Sequence, residues 1–179
     1  MALRLALIFL GALPFGRVFA TPALFVTRDP TNDAEQYLDT HNKFRASHGA
    51  EPLVWDDELA RKAQTWANRC VFEHSHGRLG DPQTGENIAA GAGTDSNYDY
   101  NIPDCVQTWT DESVDYHPEN PVASHFTQVV WKSTTQVGCA SAECQGMLGG
   151  AGYGPTRYHV CEYYPPGNWK GQFPENVQP

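Results

Sequence analysis

The sequence predicts an α+β fold, with helices first and strands last around one core. Three observations carry that prediction. Apolar residues recur at three- and four-residue steps in three segments, from Asp33, after Trp55 and around Trp109; both alternating sets of Arg157 to Tyr164 are largely apolar, and no internal repeat divides the 179 residues. At about 100–200 residues per domain, this length is one domain. Hydrophobic residues make up 40% and aromatics 12%, too much for a disordered chain. Twelve Lys and Arg against 21 Asp and Glu set the formal charge at −9. That balance argues against nucleic acid as a partner, since such binders rely on clustered bases.

Residues 1–20 read as a secretory signal peptide: Arg4, an apolar run from Leu5 to Leu13, and Val18-Phe19-Ala20 as a small-residue cleavage site. The run is too short for a membrane span, so stable membrane insertion is not expected. Cleavage removes Arg4 and Arg17 from the 12 bases and none of the 21 acids, leaving −11. A secreted, extracellular chain meets an oxidising compartment in which cysteines pair. There are five of them, so at least one is left over.

Residues 21–32 hold two prolines and no clear period, and read as an N-terminal arm. From Asp33 the pattern is helical, through Ala34, Tyr37, Leu38, His41 and Phe44 to the stop at Gly49. A second helix follows Trp55, with Asp56, Asp57 and Glu58 at its positive end and Leu59, Ala63, Trp66 and Cys70 as its inward stripe. Residues 77–104 are rich in Gly, Asp and Asn and read as loop. A third helix over about 103–114 aligns Cys105, Trp109 and Glu112. Residues 122–131 fit a short helix or a strand equally well. Val137 to Cys144 is a weaker strand than Arg157 to Tyr164, and the glycine-rich stretch from Gly146 to Pro155 joins the two as a hairpin.

No Gly-x-Ser-x-Gly elbow, P-loop or His-Glu-x-x-His helix is present. What remains is a set of histidines and carboxylates in unusual places. His74 and His76, two residues apart, form a metal pair if the segment is extended, or sit in an ordinary polar loop. Glu86 is a helix-start acid or a hydrogen-bonding strut. Glu112 leans toward the inward stripe, where a carboxylate needs a partner. His125, among Val122, Phe126, Val129 and Val130, reads as a core histidine.

At this point the chain resembles a known family. Ser124-His125-Phe126-Thr127-Gln128-Val129-Val130-Trp131 and His159-Val160-Cys161-Glu162-Tyr163-Tyr164-Pro165-Pro166-Gly167-Asn168-Trp169 are similar to the two signatures of the CAP superfamily, which comprises cysteine-rich secretory proteins, antigen 5 and pathogenesis-related class 1 proteins. His41-Asn42-x-x-Arg45 and Gly85-Glu86-Asn87-Ile88 resemble its other two motifs. The similarity spans roughly residues 33–171, within an expected domain of 33–175, and is nearest to the fungal, yeast-type secreted sterol-binding branch.

The resemblance implies a three-layer α–β–α sandwich with a central antiparallel sheet. It also implies a cleft tetrad of His74, Glu86, Glu112 and His125 for a divalent metal, zinc first, with magnesium or calcium as alternatives. On that view the histidines ligate directly and the glutamates act through water, while His41 is a buried hydrogen-bonding residue. The family pattern implies disulfides Cys70–Cys139 and Cys144–Cys161, with Cys105 a free thiol, expected to be buried and inert. The implied function is binding or export of sterols, with fatty acids as a further ligand class. Tyr98, Tyr100, Trp109 and Tyr116 are the candidate lipid contacts. Two alternatives stand beside it: a defence or virulence effector acting through a host or cell-surface protein partner, and a metal-dependent hydrolase using the tetrad, a reading the resemblance does not favour because the family shares no common catalytic activity.

Overall fold

The computed structural model describes residues 30–93, 98–148 and 154–179. The expected signal peptide and residues 21–29 of the expected arm lie outside the described residues. Helix α1 spans Pro30–Ser47, so it takes in the last three residues assigned to the arm. There follow β1 (Val54–Trp55), α2 (Asp57–Ala67), β2 (Gly85–Gly91), α3 (Ile102–Thr110), a 3₁₀ turn (Asp111–Asp115), α4 (His125–Val129), β3 (Gln136–Cys144), β4 (Thr156–Tyr164) and α5 (Phe173–Asn176). The four strands form one sheet in the order β1-β3-β4-β2. β1 runs parallel to β3, and the other pairings are antiparallel.

Side chains set the helix starts. The Asp56 carboxylate accepts from the Leu59 N–H at 2.8 Å to begin α2, and Asn101 accepts from the Asp104 N–H at 3.0 Å to begin α3. Ser124 and Thr127 exchange reciprocal bonds that start α4, which settles residues 122–131 as helix rather than strand at their centre. Helix α2 sits directly on β3 because of Gly138, where a Cβ would come within 2.1 Å of the Ala60 amide nitrogen. Trp66, Ala63, Ile88, Tyr158 and Val160 pack on that face of the sheet. On the other face Tyr37, Trp109, Phe126, Trp131, Cys161 and Tyr163 form the larger core. The guanidinium of Arg45 is buried there and donates to the carbonyls of Glu51, Val129, Trp131 and Thr134, tying α1 to the segment after α4. Burial lowers its pKa to about 10.

Two expectations are corrected. The expected loop of residues 77–104 contains β2, whose seven residues pair with β4 from Gly85↔Tyr163 to Gly91↔Arg157. The disulfides are Cys70–Cys144 and Cys139–Cys161, not the expected pairing. Cys139 and Cys161 are direct partners across β3 and β4, with Cα atoms 4.1 Å apart. Cys144 lies five residues beyond Cys139, so strand alternation turns it to the α2 face, where Cys70 ends the turn after α2. Cys105 is a buried free thiol, and burial pushes its pKa up, away from thiolate character.

Candidate functional site

The four tetrad residues come from four different elements and meet at one cleft. His74 lies in the loop after α2, Glu86 is the second residue of β2, Glu112 is in the 3₁₀ turn after α3, and His125 opens α4. They line a cleft of about 650 Å³ together with Asn87, Asp115, Tyr116, Val122, Ala123 and Asn168. The rings of His74 and His125 have centroids 6.5 Å apart and lie 27° from parallel. The indole of Trp109 lies nearly parallel to the His125 ring on its other contact, at 6.2 Å and 22°.

Each histidine is held by one glutamate. His74 Nδ1 is 2.6 Å from Glu86 Oε1, and His125 Nδ1 is 2.6 Å from Glu112 Oε1. A carboxylate on Nδ1 makes that nitrogen the N–H and leaves Nε2 as the lone-pair donor. Hydrogen bonding to Glu86 raises the pKa of His74. The glutamates thus contact and orient the histidines directly.

The second oxygens differ. Glu112 Oε2 accepts the backbone N–H of His125 at 2.7 Å and of Phe126 at 3.3 Å, so it also anchors the first turn of α4. Glu86 Oε1 accepts the Ser75 N–H at 2.8 Å, while its Oε2 is buried opposite Glu162, its direct partner across β2 and β4. Glu162 is fully buried. Burial, then the neighbouring Glu86, pushes its pKa up to about 9. A proton on Glu162 would let it donate to Glu86 and satisfy both buried oxygens. Burial alone would raise Glu86 as well, but bonds from His74, Glu162 and Ser75 hold it low. Thr84 closes the network by donating its hydroxyl to Glu162.

Sequence reasoning missed Glu162, Asn87 and Asn168. The Asn87 side chain donates to the His125 carbonyl at 3.1 Å, fixing α4 against β2. Asn168 accepts from Thr127 at 2.6 Å and donates to the Ser124 carbonyl at 3.0 Å. All three stand in the quoted motifs, so the motifs marked them without revealing their roles.

The four aromatic lipid candidates do not share a surface. Tyr116 lines the cleft and packs edge-on against Phe126. Tyr98 is 50% exposed and packs against Gly93, beyond the opposite end of β2 from Glu86. Tyr100 and Trp109 are only 8% and 1% exposed, and both belong to the core. Tyr100 donates to the Thr108 hydroxyl, and the Trp109 indole donates to the Ile88 carbonyl. Both are packing residues in this structure, and Trp109 backs His125.

His41 is a buried strut, as expected. Its Nδ1–H donates to the Tyr37 carbonyl and its Nε2 accepts from the Tyr163 hydroxyl, while burial lowers its pKa to about 4. It lies beside Cys139 and Cys161, but their sulfurs are joined in a disulfide and both its nitrogens are engaged, so this cluster offers no metal ligand.

No described helix is long and apolar enough to cross a membrane. Fruiting body protein SC7 of Schizophyllum commune is 42% identical over 158 residues, covering 84% of this chain and 74% of its own. Pathogenesis-related protein 1A of Nicotiana tabacum is 39% identical over 153 residues, covering 80% of this chain and 81% of its own. The solved structure of BmVAL-1 superposes with a TM-score of 0.63 at 26% identity, covering 84% of each chain. These likenesses agree with the α–β–α sandwich, and none of the three names states a catalysed reaction. Residues 38–163 match the model of the cysteine-rich secretory protein family, so the chain belongs to the CAP family.

Proposed function

We propose that this chain is a secreted lipid-binding protein that binds or exports sterols, with fatty acids as a second ligand class, and that its cleft tetrad holds a divalent cation. The observation that carries the reading is the cleft itself. About 650 Å³ falls within the range of roughly 300–1,000 Å³ typical of small-molecule sites, and one wall, Tyr116, Val122 and Ala123, is largely apolar. Two preoriented imidazoles line the same cleft.

The donor set fits a divalent cation. His74 and His125 would hold it through Nε2, and Glu86 and Glu112 would fix the ring orientations as carboxylates behind metal-bound histidines do. When bound, the ion supplies a fixed positive charge able to attract a sterol hydroxyl or a fatty-acid carboxylate. Asp115 and the orienting glutamates make the metal-free cleft unfavourable for an anionic headgroup. The tetrad glutamates contact the histidines and nearby backbone N–H groups, and no specific observation favours the hydrolase alternative.

The test is titration of labelled cholesterol and labelled palmitate into the purified protein, with zinc and with chelator. Saturable binding of either ligand, weakened by Val122→Asp at the cleft wall, is the expected outcome. Absence of saturable binding of both overturns the reading.

A further inference from the structure

A second and larger groove, about 750 Å³, lies away from the tetrad, along the outer edge of β3. β1 pairs with only the first two residues of β3, Gln136 and Val137. Among the described residues no strand continues that pairing, so Gly138 to Cys144, about 23 Å of strand, is an edge without a described strand partner. The bonding side of this edge follows from two contacts. The Asp56 N–H donates to the Val137 carbonyl, and Gln64 Nε2 reaches the Ser141 carbonyl at 3.4 Å. Two-residue alternation therefore turns the N–H and C=O groups of Cys139, Ser141 and Glu143 to the outer edge, where Cys139 and Ser141 line the groove.

The walls complement this edge. Ala34 and Leu38 of α1 stand on one side and Ala60 of α2 on the other, leaving room for alternate side chains of an added strand. Glu35 and Asp57 also line the groove, and the base that lines it, Arg157, lies within 4.0 Å of both Asp99 and Glu143. A lipid chain here would cover backbone polar groups without bonding them, which is costly. A second copy of a chain with formal charge −9 would bring acids against acids.

We propose that the open edge of β3 takes up an extended, basic peptide segment of a partner protein, which joins the sheet as an added strand between α1 and α2. Backbone hydrogen bonds supply the affinity, the small residues of the walls accept alternate apolar side chains, and the acids select Lys or Arg.

The probe is a fluorescein-labelled ten-residue peptide of alternating Lys and Val, titrated into the full chain by anisotropy. Saturable binding is expected, with slowed amide exchange at Ser141 and Glu143. At least tenfold weaker binding is expected when Glu replaces Lys in the peptide, or when alternate peptide amides are N-methylated. Ser141→Pro removes an outward N–H at an edge position and Glu35→Lys reverses a wall charge, and each should also weaken binding. Equal binding of the N-methylated peptide would overturn the proposal, whatever the variants do. Protection of these amides in the unliganded monomer would assign the edge to the chain's own upstream segment, and protection that tracks dimer formation in sedimentation would assign it to a second copy. Either result also overturns it.

Discussion

The two histidine–glutamate pairs share a 2.6 Å contact and differ in everything behind it. In the His125–Glu112 pair both partners begin or precede helical turns, and the carboxylate spends its second oxygen on the backbone of α4. In the His74–Glu86 pair the histidine is a loop residue, and the carboxylate is a strand residue whose second oxygen faces another buried carboxyl. One pair is therefore fixed by secondary structure and is insensitive to what lies across the sheet. The other lies against Glu162, a buried carboxyl whose pKa is pushed up by burial and by Glu86. A near-symmetric ligand set can thus rest on asymmetric supports, and each support fails in its own way.

The largest expected effect tests what the pairs have in common. Replacing both His74 and His125 by Ala should lower zinc affinity at least about 1,000-fold in calorimetric titration, because both neutral donors are lost. Glu86→Gln and Glu112→Gln keep the ligands and disturb only their orientation, so each should cost about 10- to 100-fold. Undiminished zinc binding by the double variant would show that the pairs are not a metal site.

How far the sequence reveals this asymmetry depends on the range of the interactions. The helices are legible because their stripes are local, and Cys105 and Trp109 on one stripe are both buried. Strand β2 is not legible, since Gly85-Glu86-Asn87-Ile88-Ala89-Ala90-Gly91 has glycines at both ends, small residues and little alternation, and becomes a strand only through pairing with β4. The tetrad follows from motif resemblance. The role of Glu162 does not, because it rests on a strand register linking residues 76 positions apart. The disulfides were within reach: an odd separation between Cys139 and Cys144 places them on opposite faces of one strand, and only Cys144 then shares a face with α2.

The next effect isolates the proton. A carboxyl raised from an ordinary 4.5 to about 9 in the folded state binds more protons there than in the unfolded chain. Its stabilisation is complete below pH 4.5 and declines as pH rises toward 9, with a slope of at most about 1.4 kcal/mol per pH unit for one proton. Glu162→Gln keeps a donor toward Glu86 without titrating. Denaturant titrations of metal-free protein at pH 6, 7 and 8 should show the wild type losing stability with pH more steeply than this variant. The raised pKa of His74 adds a decline of the same sign, which the variant retains. Equal slopes would mean that Glu162 is not the proton holder.

The smallest effect concerns the fixed pair, and it separates anchoring a helix from orienting a ligand. Glu112 gives α4 two hydrogen bonds at backbone N–H groups that a helix start otherwise leaves unpaired. Substituting a cap of this kind typically costs about 1 kcal/mol. Glu112→Ala should therefore destabilise metal-free protein by about that amount and speed amide exchange at His125 and Phe126. Ser124 and Thr127 still cap the helix, which keeps the loss from being larger. Glu86→Ala should leave those two amides unchanged and instead speed exchange at Ser75, whose N–H loses its acceptor. Faster exchange at His125 and Phe126 in both variants would mean that the two pairs open together as one unit. Their separate supports would then make no energetic difference.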